Sequence, residues 1–171
     1  MQTYLITLRI LHIACGVMWA GTAFVLAFYI FPAVKRSGPD GGKIMQAITG
    51  VNKFPLVISI VSTVNIVTGY LLMWKLSGGF DAVWFSSKYG MSLSIGGATA
   101  LIAYVQALFI NRPGILQIQK IAASVTARGV APSAAEVSEM LKIRSRVYLS
   151  TKWIAFWLLV SVVTMAGARY F

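Results

Sequence analysis

Four mostly apolar stretches, at about 5–31, 54–74, 89–110 and 149–168, are each long enough to cross a hydrocarbon core about 30 Å thick, which takes roughly 20 residues of helix. Lipid offers no partner to a backbone N–H or C=O, so segments of this kind must satisfy their own hydrogen bonds as helices. The fold class that follows is all-α: a polytopic membrane protein built as a four-transmembrane-helix bundle. With four spans in 171 residues, the whole chain, 1–171, is expected to form a single membrane domain. The first span exceeds the apolar core of a signal peptide and shows no Ala-x-Ala-like site, so it is expected to be retained.

Local signals bound the spans. Pro32 is expected to end the first helix, because proline disfavours helix in the residue before it. The turn-rich run Ser37-Gly38-Pro39-Asp40-Gly41-Gly42 should then break the chain, with a short interfacial helix from Lys43 to Thr49. Pro55 suits the first turn of the second span. Ser77-Gly78-Gly79 and Asn111-Arg112-Pro113-Gly114 mark the next two breaks. Between the third and fourth spans, Ile115, Ile118, Ala122 and Val125 recur at helical spacing, which predicts an amphipathic segment on the membrane surface or against the bundle. Ser133-Ala134-Ala135-Glu136 has the capping-box pattern, so another helix should start there and continue into the fourth span.

The net charge of +11 raises nucleic acid as a partner, but the distribution of the basic residues argues against it. Lys35, Arg36, Lys43 and Lys53 lie between the first two spans; Arg112, Lys120, Arg128, Lys142, Arg144 and Arg146 lie between the last two. Only Arg9, Lys75, Lys88 and Arg169 belong to the opposite side. By the positive-inside rule both basic loops are cytoplasmic and both termini face out, the orientation expected of a bacterial inner-membrane protein. Anionic lipid headgroups are the partner this pattern predicts. Small residues at four-residue spacing, Gly16 and Ala20 in the first span and Ser92, Gly96 and Ala100 in the third, would let backbones approach, which makes these two helices expected neighbours. Ser62, Asn65 and Gly69 share one face of the second span, and Ser161, Thr164 and Ala168 one face of the fourth.

His12, the only histidine, stands inside the first span. An ionisable ring in hydrocarbon needs a partner or a function. If the third helix begins near Asp81, Lys88 lies at nearly the depth of His12, and two nitrogen ligands on neighbouring helices could flank a flat cofactor. Otherwise Lys88 snorkels to the headgroups and Asp81 caps the helix.

The run Leu8-Arg9-Ile10-Leu11-His12-Ile13, followed by Val17, Trp19 and Gly21, resembles the first helix of the membrane superfamily that includes copper-resistance protein D and the HemJ-type protoporphyrinogen oxidases. Trp84-Phe85-Ser86-Ser87-Lys88, with Ala103-Tyr104 further on, resembles the segment that supplies a lysine in the HemJ type. Carried over, the resemblance implies His12 and Lys88 as axial ligands of one b-type haem near the outer leaflet, with a role in electron transfer or haem metabolism. The chain departs from the HemJ pattern at Phe28-Tyr29-Ile30-Phe31 and Tyr104-Val105-Gln106, where further histidines would stand. What carries over is therefore haem ligation rather than protoporphyrinogen oxidation. Further features, from Ala33-Val34 after Pro32 to the terminal Ala168-Arg169-Tyr170, are similar to bacterial four-helix membrane proteins with no assigned activity.

Copper is the rival cofactor. Cys15 shares a helical face with His12, and Met73, Met91 and Met165 are predicted in the outer halves of their helices; soft sulfur ligands of this kind select Cu(I). A single cysteine excludes an intramolecular disulfide and a multi-cysteine metal site. Two further roles stay open for His12: a neutral ring hydrogen-bonded to another helix, and a proton relay. The absence of any acid–base or nucleophile constellation also leaves open a non-catalytic accessory subunit of a larger membrane complex, or a homo-oligomer.

Overall fold

A computed structural model of the chain describes residues 2–51 and 53–170, and these are almost entirely helical, with no strand among the described residues. The elements are α1 (Gln2–Val25), α2 (Phe31–Arg36), α3 (Gly38–Gln46), α4 (Phe54–Leu76), α5 (Ala82–Ser86), α6 (Lys88–Gln106), α7 (Arg112–Arg128) and α8 (Ala134–Gly167). Four continuous helical runs, Gln2–Arg36, Phe54–Leu76, Lys88–Arg128 and Ala134–Tyr170, are long and apolar enough to cross a membrane. Their outward faces carry large apolar side chains such as Ile10, Val17, Ile60, Leu101, Leu159 and Val163. Polar Ser62, Asn65, Thr68, Ser92, Thr99 and Ser161 are turned inward. That inverts the pattern of a water-soluble bundle and suits a lipid surround.

Neither Pro32 nor the Asn111-Arg112-Pro113-Gly114 run ends its helix, contrary to expectation. Before each proline the chain makes one wide π-helical turn, Leu26–Ile30 and Ala107–Asn111, and resumes as α2 and α7. Each proline then falls in the first turn of the resumed segment, where the wide turn before it keeps the ring clear of the carbonyl it would otherwise strike. The expected break at 37–42 likewise shrinks to Ser37, and α3 starts at Gly38, earlier than the interfacial helix expected at Lys43. Gly41 permits this corner, since a Cβ there would collide with the Val34 carbonyl.

α8 starts as expected. Ser133 Oγ accepts from Glu136 N–H at 3.3 Å while Glu136 Oε2 accepts from Ser133 N–H at 2.8 Å. α7 ends at Gly129, whose φ of +64° suits the left-handed position that stops a helix. With 34 residues α8 is about 50 Å long at about 1.5 Å per residue, so its N-terminal part projects from the bilayer and packs against α7.

Within the membrane each helix packs most extensively on its neighbour in sequence, α1 on α4 and α6 on α8, and α1 and α6 sit diagonally. The small-residue faces are contact surfaces, but not with each other. A Cβ on Gly16 would stand 3.0 Å from Asn65 Nδ2 of α4, and one on Gly96 would stand 2.9 Å from Thr164 Oγ1 of α8. Connection length does not decide the pairing, since the shortest connection among α1, α4, α6 and α8, 77–87, joins α4 and α6, which touch far less; the glycines instead meet polar side chains of the helix they pack on. The diagonal helices meet through Trp19 and Tyr104, whose rings pack edge to face with centroids 6.3 Å apart. Around this pair, toward the basic end of the bundle, lies the apolar core of Ala23, Ala27, Ala103, Ile154, Ala155 and Leu158. Toward the end that carries the termini the interior is small and polar, and its rim is aromatic, with Tyr70, Phe80, Phe85 and Trp84 in ring contact.

Candidate functional site: the His12 cluster

The buried stripe of α1 runs Leu8, Trp19 and Ala23 and continues to Ala27 in the π-turn that follows, and His12 lies half-buried on the same stripe. It faces α4, whose buried stripe is Ser62, Asn65, Thr68 and Leu72. His12 Nδ1 lies 3.0 Å from the backbone carbonyl oxygen of Asn65. Asn65 Nδ2 donates in return to the backbone carbonyl of His12 at 2.7 Å.

The shortest ring contact selects one tautomer. A carbonyl oxygen only accepts, so the 3.0 Å contact is a hydrogen bond when the proton is on Nδ1. With the proton there, the second N–H of Asn65 Nδ2, 3.3 Å away, meets no lone pair on Nδ1, while its first donates to the His12 carbonyl. Thr68 Oγ1, 3.5 Å from Nδ1, donates instead to the Val64 carbonyl at 2.7 Å. With Nδ1 protonated in a neutral ring, Nε2 carries a lone pair, and it makes no hydrogen bond among the described residues. Gly69 gives the ring its place, since a Cβ there would lie 2.7 Å from His12 Cε1.

Lys88 is not at the depth of His12. The third helix does not begin at Asp81: Asp81 Oδ1 caps the separate short α5 through Val83 N–H at 2.6 Å, and Ser87, extended with ψ of 151°, caps α6. Lys88 is thus the first residue of α6 and is exposed. Taking the Trp19–Tyr104 contact as the common level, Lys88 stands roughly 13 Å farther along the bundle axis than His12, at about 1.5 Å per residue. α6 is also diagonal to α1, so the two residues are not brought face to face.

The sulfur residues disperse in the same way. Cys15 is a half-buried free thiol. Met73 reaches α6, where a Cβ on Gly97 would lie 3.0 Å from its Cε; Met165 packs against Gly96 and accepts from Ser161 Oγ at 3.8 Å; Met91 is exposed. No group of three or more His, Cys, Asp or Glu able to hold a metal occurs among the described residues.

Of the two nitrogens expected as ligands, His12 Nε2 makes no hydrogen bond among the described residues, and Lys88 is neither at its level nor facing it. A backbone carbonyl that holds one ring nitrogen and leaves the other free is the usual outer support of a metal-bound histidine. The sequence signal that pairs Asn65 and Thr68 with His12 is depth, because His12 from the start of α1 and Asn65 from the end of α4 count to nearly the same level.

No protein-family model, curated protein or solved structure matches this chain.

Proposed function

We propose that the chain is a small bacterial inner-membrane protein, with both termini outside and the basic end cytoplasmic, that binds one b-type haem through His12 and serves electron transfer or haem metabolism. The observation that carries this reading is an Nε2 without a hydrogen bond among the described residues, on a ring whose Nδ1 lies 3.0 Å from the Asn65 carbonyl. The resemblance of the first helix to the copper-resistance D and HemJ-type superfamily supports it. A bound haem would supply one-electron chemistry. The chain's own part is to orient the ring, through Asn65 and Gly69, and to hold it away from water. Lys88 serves the helix end in this reading, not the iron. Copper handling draws less support, because Met73 and Met165 are engaged with the glycines of α6 and Met91 is exposed.

One specific observation favours a second reading, a non-catalytic packing subunit: the reciprocal His12–Asn65 bonds already give the ring a structural use. The absorption spectrum of protein purified in detergent from haem-replete cells separates the two. A Soret band and a pyridine haemochrome near one haem per chain, both lost in His12→Ala, are expected. A folded wild-type protein with no extractable porphyrin would remove the haem reading and leave the packing one.

A further inference from the structure

At the basic end of the bundle, where α4 enters the membrane, an open cleft of about 470 Å³ lies between the Ala47–Val51 turn, the first turn of α4 and one face of α7. That volume is in the range of small-ligand sites, roughly 300–1,000 Å³. Its lining divides by chemistry. Gln46, Lys53 and Gln119 are polar, while Leu56 and Leu116 are apolar. Gln119 Nε2 ties the two walls together by donating to the Thr49 carbonyl at 3.3 Å. A second open cleft, lined in part by Lys43, shares Gln46 and Gly50 with the first, so the two form one groove with a lysine toward each end.

The charge of this groove has one sign. Among the described residues no acidic side chain lines either part. Lys43 is paired with Asp40 at 3.0 Å, but both are highly exposed, so the pair is weak; Lys53 is in no ion pair among the described residues. Lys53 also occupies the N-cap of α4 in the left-handed conformation (φ +47°), with no side chain capping the helix, so the positive end of the α4 dipole adds to its charge. An anion is the complementary ligand, and the apolar floor of Leu56 and Leu116 suits a ligand that also carries hydrocarbon.

We propose that this groove seats the headgroup of one anionic glycerophospholipid, its phosphate toward Lys53 and the α4 N-terminus and the start of its acyl chains along Leu56 and Leu116. The basic end as a whole attracts anionic lipid diffusely. The groove differs in being a defined site with a stoichiometry of one. Inorganic phosphate meets only the polar half of the lining and should bind far more weakly.

Native mass spectrometry of the detergent-purified full chain tests this with phosphatidylglycerol and phosphatidylcholine of identical acyl chains. One phosphatidylglycerol should be retained in preference to phosphatidylcholine. Lys53→Gln should weaken that retention about fivefold, the effect of one well-placed charge, and Lys53→Glu more. Leu116→Trp, which fills the floor without changing charge, should weaken it as well. Lys142→Glu, on the exposed surface of α8, should leave it unchanged. Equal losses in Lys53→Glu and Lys142→Glu would overturn the site in favour of diffuse attraction. So would displacement of the lipid by millimolar inorganic phosphate, or unchanged retention in folded Lys53→Gln and Leu116→Trp proteins.

Discussion

His12 and Asn65 bind each other's backbone: the ring of His12 donates to the carbonyl of Asn65 at 3.0 Å, and the side-chain amide of Asn65 donates to the carbonyl of His12 at 2.7 Å. Each residue thus pins the main chain of the opposite helix rather than only its side chain. Gly16 and Gly69 are the glycines that let the helices come close enough, the first beneath the Asn65 amide and the second beneath the His12 ring. Hydrogen bonds between membrane helices contribute modestly, about 0.6 to 2 kcal/mol each. Their larger effect here is to fix one register of α1 on α4.

That arrangement makes Gly69 more sensitive than its surroundings suggest. Gly69→Ala places a methyl 2.7 Å from His12 Cε1, so the ring must move and its bond to the Asn65 carbonyl stretch. The expected cost is about 1 to 3 kcal/mol, the usual range for overpacking. Gly21→Ala in α1, where nothing lies within 4 Å of the added carbon, is the control and should change stability by less than about 0.5 kcal/mol. Thermal unfolding in detergent compares them, and equal effects would show that His12 is not wedged on Gly69.

If His12 holds a haem, Lys88 should be dispensable for it. Lys88 is exposed at the first position of α6 and stands well outside the level of the His12 ring. Lys88→Ala is therefore expected to leave the Soret maximum and the haem-to-protein ratio unchanged, while His12→Ala abolishes both. A Soret shift or haem loss in Lys88→Ala would restore the lysine as the second axial ligand and imply a different position for α6.

The number and type of the spans were legible because lipid imposes one rule, an uninterrupted apolar stretch of fixed length, and four segments obey it. What misled were signals whose outcome depends on neighbours. Pro32 and Pro113 are helix stops in isolation, yet a π-turn before each lets the helix pass. Gly16 and Gly96 announce close approach without saying to what; the answer lay in the polar side chains opposite them, Asn65 on α4 and Thr164 on α8. The depth of Lys88 turned on two competing caps, Asp81 and Ser87, and the chain uses both, one for α5 and one for α6. His12 was readable as the residue to explain, but its partner was not, because Asn65 shared its face with residues that suited ordinary packing equally well.

The start of α8 should respond to acid. Arg128 Nη2 donates to Glu136 Oε1 at 2.6 Å, and the Ser133 backbone and hydroxyl add two further bonds, which together lower the Glu136 pKa from 4.5 to about 2. The ionised form is the one favoured in the folded hairpin, so its contribution is complete above the ordinary carboxyl range near 4.5 and is lost as pH falls toward 2. Amide protection in the first turns of α8, the exchange rate taken relative to the intrinsic rate at each pH, should therefore fall on acidification over that window. Glu136→Gln should show low protection there already at neutral pH, with little further change in protection. Protection that is high and constant with pH in both proteins would mean that packing of α7 on α8, not the cap, holds this end.

Two buried polar atoms, Ser150 Oγ and Asn111 Oδ1, have no hydrogen-bond partner, and both lie where the π-turn of the third span meets α8. Their neighbours are satisfied: Asn111 Nδ2 donates to Thr151 Oγ1 at 2.9 Å, and Gln106 Nε2 to the Ser150 carbonyl at 3.3 Å. Removing an unpaired buried hydroxyl relieves a desolvation cost, whereas removing one half of a bonded pair creates one of about 1 to 3 kcal/mol. Ser150→Ala is thus expected to be neutral or stabilising, and Thr151→Val, of nearly the same volume, to destabilise by that amount because it strands the Asn111 amide. Unfolding in detergent reads the difference between the two adjacent substitutions. If Ser150→Ala instead destabilises as much as Thr151→Val, the hydroxyl has a partner after all, and a bound water bridging it to Asn111 Oδ1 is the group that fits the two free positions.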